Sequence, residues 1–428
     1  MKLSSLAAIV AAVLAATSLP AQSAAGLKAY TGARIVTGLG TQTIENGVLL
    51  VRQGRIEAIG PAAEVQVPAG AEQIPLTGKT IIPGLINAHG HVGSVQGLRS
   101  GPEVYTEENI LRQLGLNARY GITTVASLGD DGPAGVKLRD AQDHAGLNRA
   151  RLYVAGPVLA ANTPDEARRL VRDLRDLKVN FVKIRVDDNL GTTPKMTPDV
   201  YRAVIDEAHK LSLPVAAHLY YLEDAKDLLR AGVDFIAHSI RDREVDAAFI
   251  ALMKEKGVSL CPTLTREVSA YVYESTPAFF SDPFFLAEAD PAVLRELENP
   301  TRQRALAGNA RAQSYKQALK MAQRNMKLLH DAGLPIAFGT DSGPAARFQG
   351  YFEHLEMDLM AEAGLRPIDI LLSATSKAAA SLKLKDVGSL QKGHWADFVV
   401  LTRNPIEDIR HARTIESVWI AGNRVPGR

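Results

Sequence analysis

Across 428 residues there is a single cysteine, Cys261. No intrachain disulfide can form, so packing has to hold the fold. An excess of charge of one sign is missing too: 49 lysines and arginines face 47 acids, a formal net charge of +2. With no basic block and no aromatic-interleaved stripe, nothing in the chain complements nucleic acid, and none is expected as a partner. Long hydrophobic runs are lacking beyond the first 25 residues. There Met1-Lys2-Leu3 precedes an apolar stretch from Leu6 to Leu19, and Ala21-Gln22-Ser23-Ala24-Ala25 offers small residues for cleavage. That stretch is shorter than the ~20 apolar residues a bilayer span needs. Residues 1–25 therefore read as a cleaved signal peptide. The mature protein is expected to be secreted or periplasmic, with no membrane partner. Cys261 lies in the apolar run from Val258 to Leu264 and reads as a buried, inert thiol.

What the chain does have is a change of pattern along its length. From about Leu27 to Leu76, short apolar runs such as Val48-Leu49-Leu50-Val51 are broken by Gly54, Gly60 and Pro61, as in small β-strands. Phe398-Val399-Val400-Leu401 and Val418-Trp419-Ile420 repeat that pattern near the other end. Residues 26–80 and 385–428 are expected to build one β-sandwich domain from both ends of the chain. Between them, over 81–384, apolar strand-like runs alternate with charged, amphipathic helical stretches, the pattern of repeated βα units. Helices are expected over 107–120, 164–177, 197–211, 223–231 and 247–256. Counted from Ile81, the strand-like runs number eight. The expected fold class is α/β, a (β/α)8 TIM barrel whose chemistry lies at the carboxyl ends of its strands.

Those ends share one chemistry. His89-Gly90-His91 closes the first run; strand alternation puts both imidazoles on one side, and Gly90 leaves the space between them open. Lys183 lies in the fourth run, His218 ends the fifth, His238 the sixth and Asp341 the eighth. Singly, each has a plainer explanation: a hydrogen-bonded core histidine, a snorkelling lysine, a helix-capping aspartate. Six such groups at one rim point to a metal site, because imidazole and carboxylate are common ligands of divalent ions.

Four stretches carry a family likeness: Ile82-Pro83-Gly84-Leu85-Ile86-Asn87-Ala88-His89-Gly90-His91, Val182-Lys183-Ile184, Gly339-Thr340-Asp341-Ser342-Gly343, and the tail from Val387 to Asp397. With these the chain resembles the amidohydrolase superfamily, most closely its imidazolonepropionase-like and prolidase-like branch, over nearly all of its length after residue 25. The resemblance implies two divalent ions. His89, His91 and Asp341 would hold the more buried one, and His218 and His238 the more exposed one. Lys183 would be carboxylated, its carbamate bridging both. Zinc is the default for such donors, with manganese, cobalt or iron as alternatives. The likeness also implies a hydroxide shared by the ions as nucleophile, and Asp341 as the base that passes its proton to the leaving amine. His238 is the second catalytic residue expected on the same grounds.

The expected reaction is hydrolysis of an amide bond in a small substrate, a dipeptide or an N-acyl amino acid. A lactonase or esterase is the alternative, and a non-catalytic binding protein the second one. Tyr220, two positions past His218, is expected to contact the substrate or else to pack; His354, which matches a histidine of relatives, is a further candidate substrate contact whose role is open. Arg185 would bind a substrate carboxylate or else pair with Asp187. The segment 265–312 holds Tyr271, Tyr273, Phe279, Phe280, Phe284 and Phe285. It reads as a lid, a contact within a homo-oligomer, or plain packing.

Overall fold

The structure, a computed structural model, describes residues 26–427. The expected signal peptide lies outside the described residues.

The parallel strands fall into two groups. Leu85–Gly90, Ile122–Ser127 and Arg151–Val154 form a sheet of three strands. Val182–Val186, Val215–Leu219, Phe235–Ala237 and Ser259–Cys261 form a sheet of four. Between them run the helices Glu107–Arg119, Pro164–Asp176, Pro198–Lys210, Leu222–Ala231 and Ala247–Lys256, each within a residue or two of expectation. Local chemistry sets their ends. The Thr106 and Thr163 side chains accept from the amides of Asn109 and Glu166, satisfying donors that the first turn leaves open. Gly232 and Gly257 end theirs in the left-handed conformation, where glycine carries no Cβ penalty. The apolar faces of strands and helices meet in one continuous core that includes Val125, Ile184, Val204 and Ile236.

The expected unbroken eight-stranded ladder is not what the hydrogen bonds show. The third run, expected to continue to Leu159, stops at Val154; Gly156-Pro157 interrupts it, and Leu159 alone returns to bridge Ile184. The eighth run forms no ladder. Pro335 has no amide to give, and a Cβ on Gly339 would stand 2.4 Å from Cys261 Sγ. That run still bonds to both sides: Ala337 N donates to Leu260 O, and Phe338 O accepts from Ala88 N, each at 2.8 Å. Single bridges join Ile336 to Leu260 and Ser342 to Gly90.

Both chain ends enter one mixed sheet of eight strands among the described residues. Its order is Asn423–Arg424, Ile415–Ile420, Phe398–Leu401, Thr80–Pro83, Leu27–Val36, Thr43–Arg52, Arg55–Pro61, with Glu72–Pro75 beside Leu27–Val36. The expectation was a two-layer sandwich; the hydrogen bonds link every strand into a single sheet. Its outer parts nevertheless approach each other. Arg55 bridges Trp395, Ala396 N donates to Gly54 O at 2.8 Å, and Ile56, Leu49, Tyr30 and Phe398 share one apolar cluster. Thr80–Pro83 pairs antiparallel with Phe398–Leu401 and leads straight into Leu85–Gly90. The strand bearing the histidine pair is thus anchored at its start by the terminal sheet.

Within the aromatic segment, Phe279, Phe280 and Phe285 pack mostly edge-on against Phe348, Tyr351 and Phe352, and Tyr120 Oη donates to Phe284 O at 2.9 Å. No helix among the described residues is long and apolar enough to cross a membrane.

Candidate metal centre

The ends of the parallel strands bring the six expected groups together. His89 Nε2 lies 2.9 Å from Lys183 Nζ and 3.7 Å from Asp341 Oδ1. His91 Nε2 stands 2.9 Å from the same oxygen. Ring centroids are 4.6 Å apart for His89 and His238, and 4.1 Å for His218 and His238. Among the described residues, His89, His91 and Asp341 offer ligand atoms within 4.8 Å of one another, a spacing that one ion could bridge.

Outer partners orient three of the rings, each engaging one nitrogen and leaving the other as a donor. His91 Nδ1 meets Gly129 O at 3.2 Å, His218 Nε2 meets Asp187 Oδ2 at 2.7 Å, and His238 Nδ1 meets Thr263 Oγ1 at 2.6 Å. His238 Nε2 is fully buried and has no partner, as is His89 Nδ1. Orphaned buried nitrogens are costly unless something else binds them. Electrostatics agrees. Burial pushes His89 and His238 well below the ordinary imidazole range, helped by Lys183 at His89 and by the neighbouring rings at His238. His218 falls to about 3, burial outweighing its bond to Asp187. Neutral imidazoles are the ligand form. Burial would raise the Asp341 carboxyl, but Arg347, His89 and His91 hold it well below its usual range. Burial also lowers the Lys183 amine to about 8. Neutral rings, an ionised carboxylate and open ring nitrogens form a donor set that fits divalent ions.

Backbone strain collects here. His238 has φ of 100° and Asp341 of 57°, values that side chains other than glycine rarely adopt. Behind Asp341, Asn87 Nδ2 and Ser342 Oγ both donate to Glu353 Oε1 at 2.6 Å, locking the first and eighth runs together. At Gly343 a Cβ would fall 2.1 Å from His91 O, so only glycine fits. A cleft of about 800 Å³ adjoins the site, lined by Ser94, Tyr105, Asp130, Pro133, Pro157 and Pro344 from loops that follow the strand ends.

Of the three expected substrate contacts, His354 lies away from the centre, while Arg185 and Tyr220 stay near the strand ends. His354 is buried, its Nε2 2.9 Å from Tyr120 O and its ring against Phe284. Tyr120 precedes the strand Ile122–Ser127, at the end opposite the ligands. Arg185 is half exposed and faces Asp187 at 3.8 Å. Tyr220 is buried against Tyr315 and Ala318, under the guanidinium of Arg241. The sequence named Asp187 only as a partner of Arg185; its bond to His218 was not foreseen, nor were Arg347 on Asp341 at 2.6 Å and the buried trio Arg241, Arg266 and Glu267.

The model of the amidohydrolase family matches residues 80–425. The chain belongs to the amidohydrolase family. It is 27% identical over 293 residues to an ochratoxinase of Aspergillus niger, a match covering 65% of this chain and 53% of that one. The chain thus spans about half the length of that relative. To an imidazolonepropionase of Deinococcus radiodurans it is 24% identical over 409 residues, covering 89% and 92%. A solved Xaa-Pro dipeptidase with bound methionine superposes with a TM-score of 0.75 at 23% identity, over 93% of this chain and 99% of the other. The expected likeness to the imidazolonepropionase-like and prolidase-like branch therefore holds, and the amidohydrolase fold is α/β of the TIM-barrel type.

Proposed function

We propose that this amidohydrolase is a metal-dependent enzyme that hydrolyses the amide bond of a small substrate, a dipeptide or an N-acyl amino acid. The observation that carries the reading is the convergence of His89, His91, Lys183, His218, His238 and Asp341, with His238 Nε2 buried and unpartnered. Similarity to an Xaa-Pro dipeptidase supports the dipeptide part. His89, His91 and Asp341 would hold one divalent ion, His218 and His238 a second, and Lys183, as a carbamate, would lie between them; zinc is the first choice. When bound, the ions would polarise the scissile carbonyl and acidify a water.

The chain's own groups do the rest. Burial keeps the His89, His218 and His238 imidazoles neutral, so they donate to a cation instead of repelling it. Thr263, Gly129 and Asp187 fix three of the rings. Asp341 is held ionised, its Oδ2 oriented by Arg347 and its Oδ1 facing the His89 and His91 rings, and it is the group that would take a proton from water and return it to the departing amine. His238, with its open Nε2, is the second catalytic group. The same reading takes the two parallel sheets as one eightfold barrel over 81–384, closed at the single bridges. The terminal sheet of 26–80 and 385–428 becomes a sandwich folded over its apolar cluster, and residues 1–25 an export signal.

The test is elemental analysis of metal-replete protein beside a screen of dipeptides, N-acyl amino acids and lactones, with and without chelator. About two ions per chain and chelator-sensitive amide hydrolysis are expected. Less than one ion per chain overturns the dinuclear reading, and hydrolysis of lactones alone overturns the amide. Asp341→Asn should lower turnover by about 10³-fold or more while the protein stays folded. Full retained activity would remove Asp341 from its role.

A further inference from the structure

Three connections follow the ends of adjacent strands five, six and seven, on the side of the centre held by His218 and His238. Two of these connections carry Tyr220 and Arg241 in loops, and the third carries Arg266 and Glu267 in the short helix Leu264–Ser269. Arg241 is 2% exposed and Arg266 8%. Both guanidiniums lean on one acid: Arg241 Nε lies 3.0 Å from Glu267 Oε1, and Arg266 Nη1 lies 3.2 Å from each Glu267 oxygen. Two cations thus share one carboxylate in a buried setting. The other acids facing them are already engaged, Asp187 by His218 and Asp341 by His91 and Arg347. Arg241 Nη1 donates to Leu219 O at 2.9 Å and Ser239 O at 2.7 Å, whereas Arg241 Nη2 and Arg266 Nε are buried with no hydrogen-bond acceptor. Each ring beneath is aromatic, Tyr220 at 4.6 Å from Arg241 and Tyr315 at 4.9 Å from Arg266, and neither supplies a countercharge. Against burial, Glu267 and Tyr315 favour the Arg266 charge, while burial disfavours that of Arg241, so the pair together keeps a surplus of positive charge that is costly to bury unless an anion completes it. A guanidinium's fork of N–H groups suits a planar carboxylate. The Arg266 charge is close enough to act on both His218 and Asp341.

We propose that Arg266, braced by Arg241 and Glu267, binds a carboxylate that the substrate carries beside its scissile amide. The enzyme then selects acids, meaning peptides with a free C-terminus or N-acyl amino acids, over the same molecules ending in a carboxamide. This rests on the hydrolytic reading above and transfers to Arg266 the task that the sequence suggested for Arg185.

The experiment compares an N-acetyl amino acid with its carboxamide, using metal-loaded wild type, Arg266→Met, Arg266→Lys and Arg185→Met. Wild type should favour the acid by about 10²-fold or more in kcat/KM, because a site built for a charged partner is left unpaired by the neutral analogue. Arg266→Met should collapse that ratio toward one, mainly through KM. Arg266→Lys should restore part of it, and Arg185→Met should leave it as in wild type. In parallel, the N-acetyl amino acid should raise the unfolding midpoint of wild type and not that of Arg266→Met, a readout independent of turnover. Equal use of acid and amide by wild type, or a ratio that collapses in Arg185→Met and survives in Arg266→Met, overturns the proposal. If no amide is hydrolysed but the acid binds wild type alone, the hydrolytic reading fails and the carboxylate site stands.

Discussion

Two buried arginine systems in this chain differ in one respect. Arg151, 1% exposed, joins the parallel sheets to the terminal sheet. Its Nε donates to Asp397 Oδ2 at 2.7 Å, its Nη1 to Gln142 O at 3.3 Å, and Trp395 lies 4.4 Å beneath it. Asp397 in turn accepts from Ala421 N at 2.7 Å. One buried cation meets one buried anion, with the exposed Asp143 also 3.6 Å from Nη1, and nearly every donor has an acceptor. At the rim, Arg241 and Arg266 share Glu267 and leave N–H groups over. A balanced buried pair can act as a fastener between layers. An unbalanced one keeps capacity for something that arrives from outside, and it stands beside the metal ligands.

The comparison is broken most forcefully by removing one arginine from each system. Arg151→Met leaves the Asp397 carboxylate buried without its counter-ion, which should cost about 3–5 kcal/mol in denaturant unfolding. Arg266→Met takes away a surplus cation while Glu267 keeps Arg241, so stability should hold within about 1 kcal/mol or rise. The same substitution thus gives opposite results in two places. If Arg266→Met destabilises as much as Arg151→Met, both systems are structural and the distinction is lost.

A third buried charge sharpens the contrast from the acidic side. Glu356 is fully buried and receives only neutral donors: the amides of Leu264 and Thr265, each at 2.7 Å, and Thr265 Oγ1 at 2.8 Å. Burial, against those bonds, pushes its carboxyl up to about 8. Below about 4.5 it is protonated in both folded and unfolded chain. Between there and about 8 the unfolded chain has released a proton that the fold retains, so stability falls as pH rises. Glu356→Gln should flatten that part of the stability profile. An identical slope in the variant would place the titration on another group.

The candidate metal-binding residues were legible because they combine a distinctive side chain with a strand or strand-end position. His89 and His91 need only the two-residue period of a strand, and Lys183, His218, His238 and Asp341 recur after runs of plain apolar pattern. The helices were legible for similar reasons, through Thr106, Thr163, Gly232 and Gly257. The broken ladders were harder to read. Gly156-Pro157 and Pro335 were visible, but Gly339 matters only because Cys261, far away in sequence, presses on it. Nor does the pattern of Leu27 to Leu76 say whether its strands join the C-terminal ones in one sheet or two. Arg241 and Arg266 were hidden for a different reason. An arginine beyond a strand end is ordinarily solvated, and nothing local shows that a loop and a short helix will bury these two around a single acid.

His354 is the case where a resemblance pointed one way and the geometry another, and it predicts the smallest effect. Its imidazole bonds the Tyr120 carbonyl and packs edge-on against Phe284, at the end of the strands remote from His89 and His238. His354→Leu should therefore cost only about 1 kcal/mol of stability, the net worth of one buried hydrogen bond. It should leave KM for the preferred substrate and the acid-to-carboxamide ratio where they were. A KM that rises several-fold with unfolding unchanged would mean that His354 reaches the substrate after all. The boundary drawn between a catalytic rim and a purely packed opposite end would then have to move.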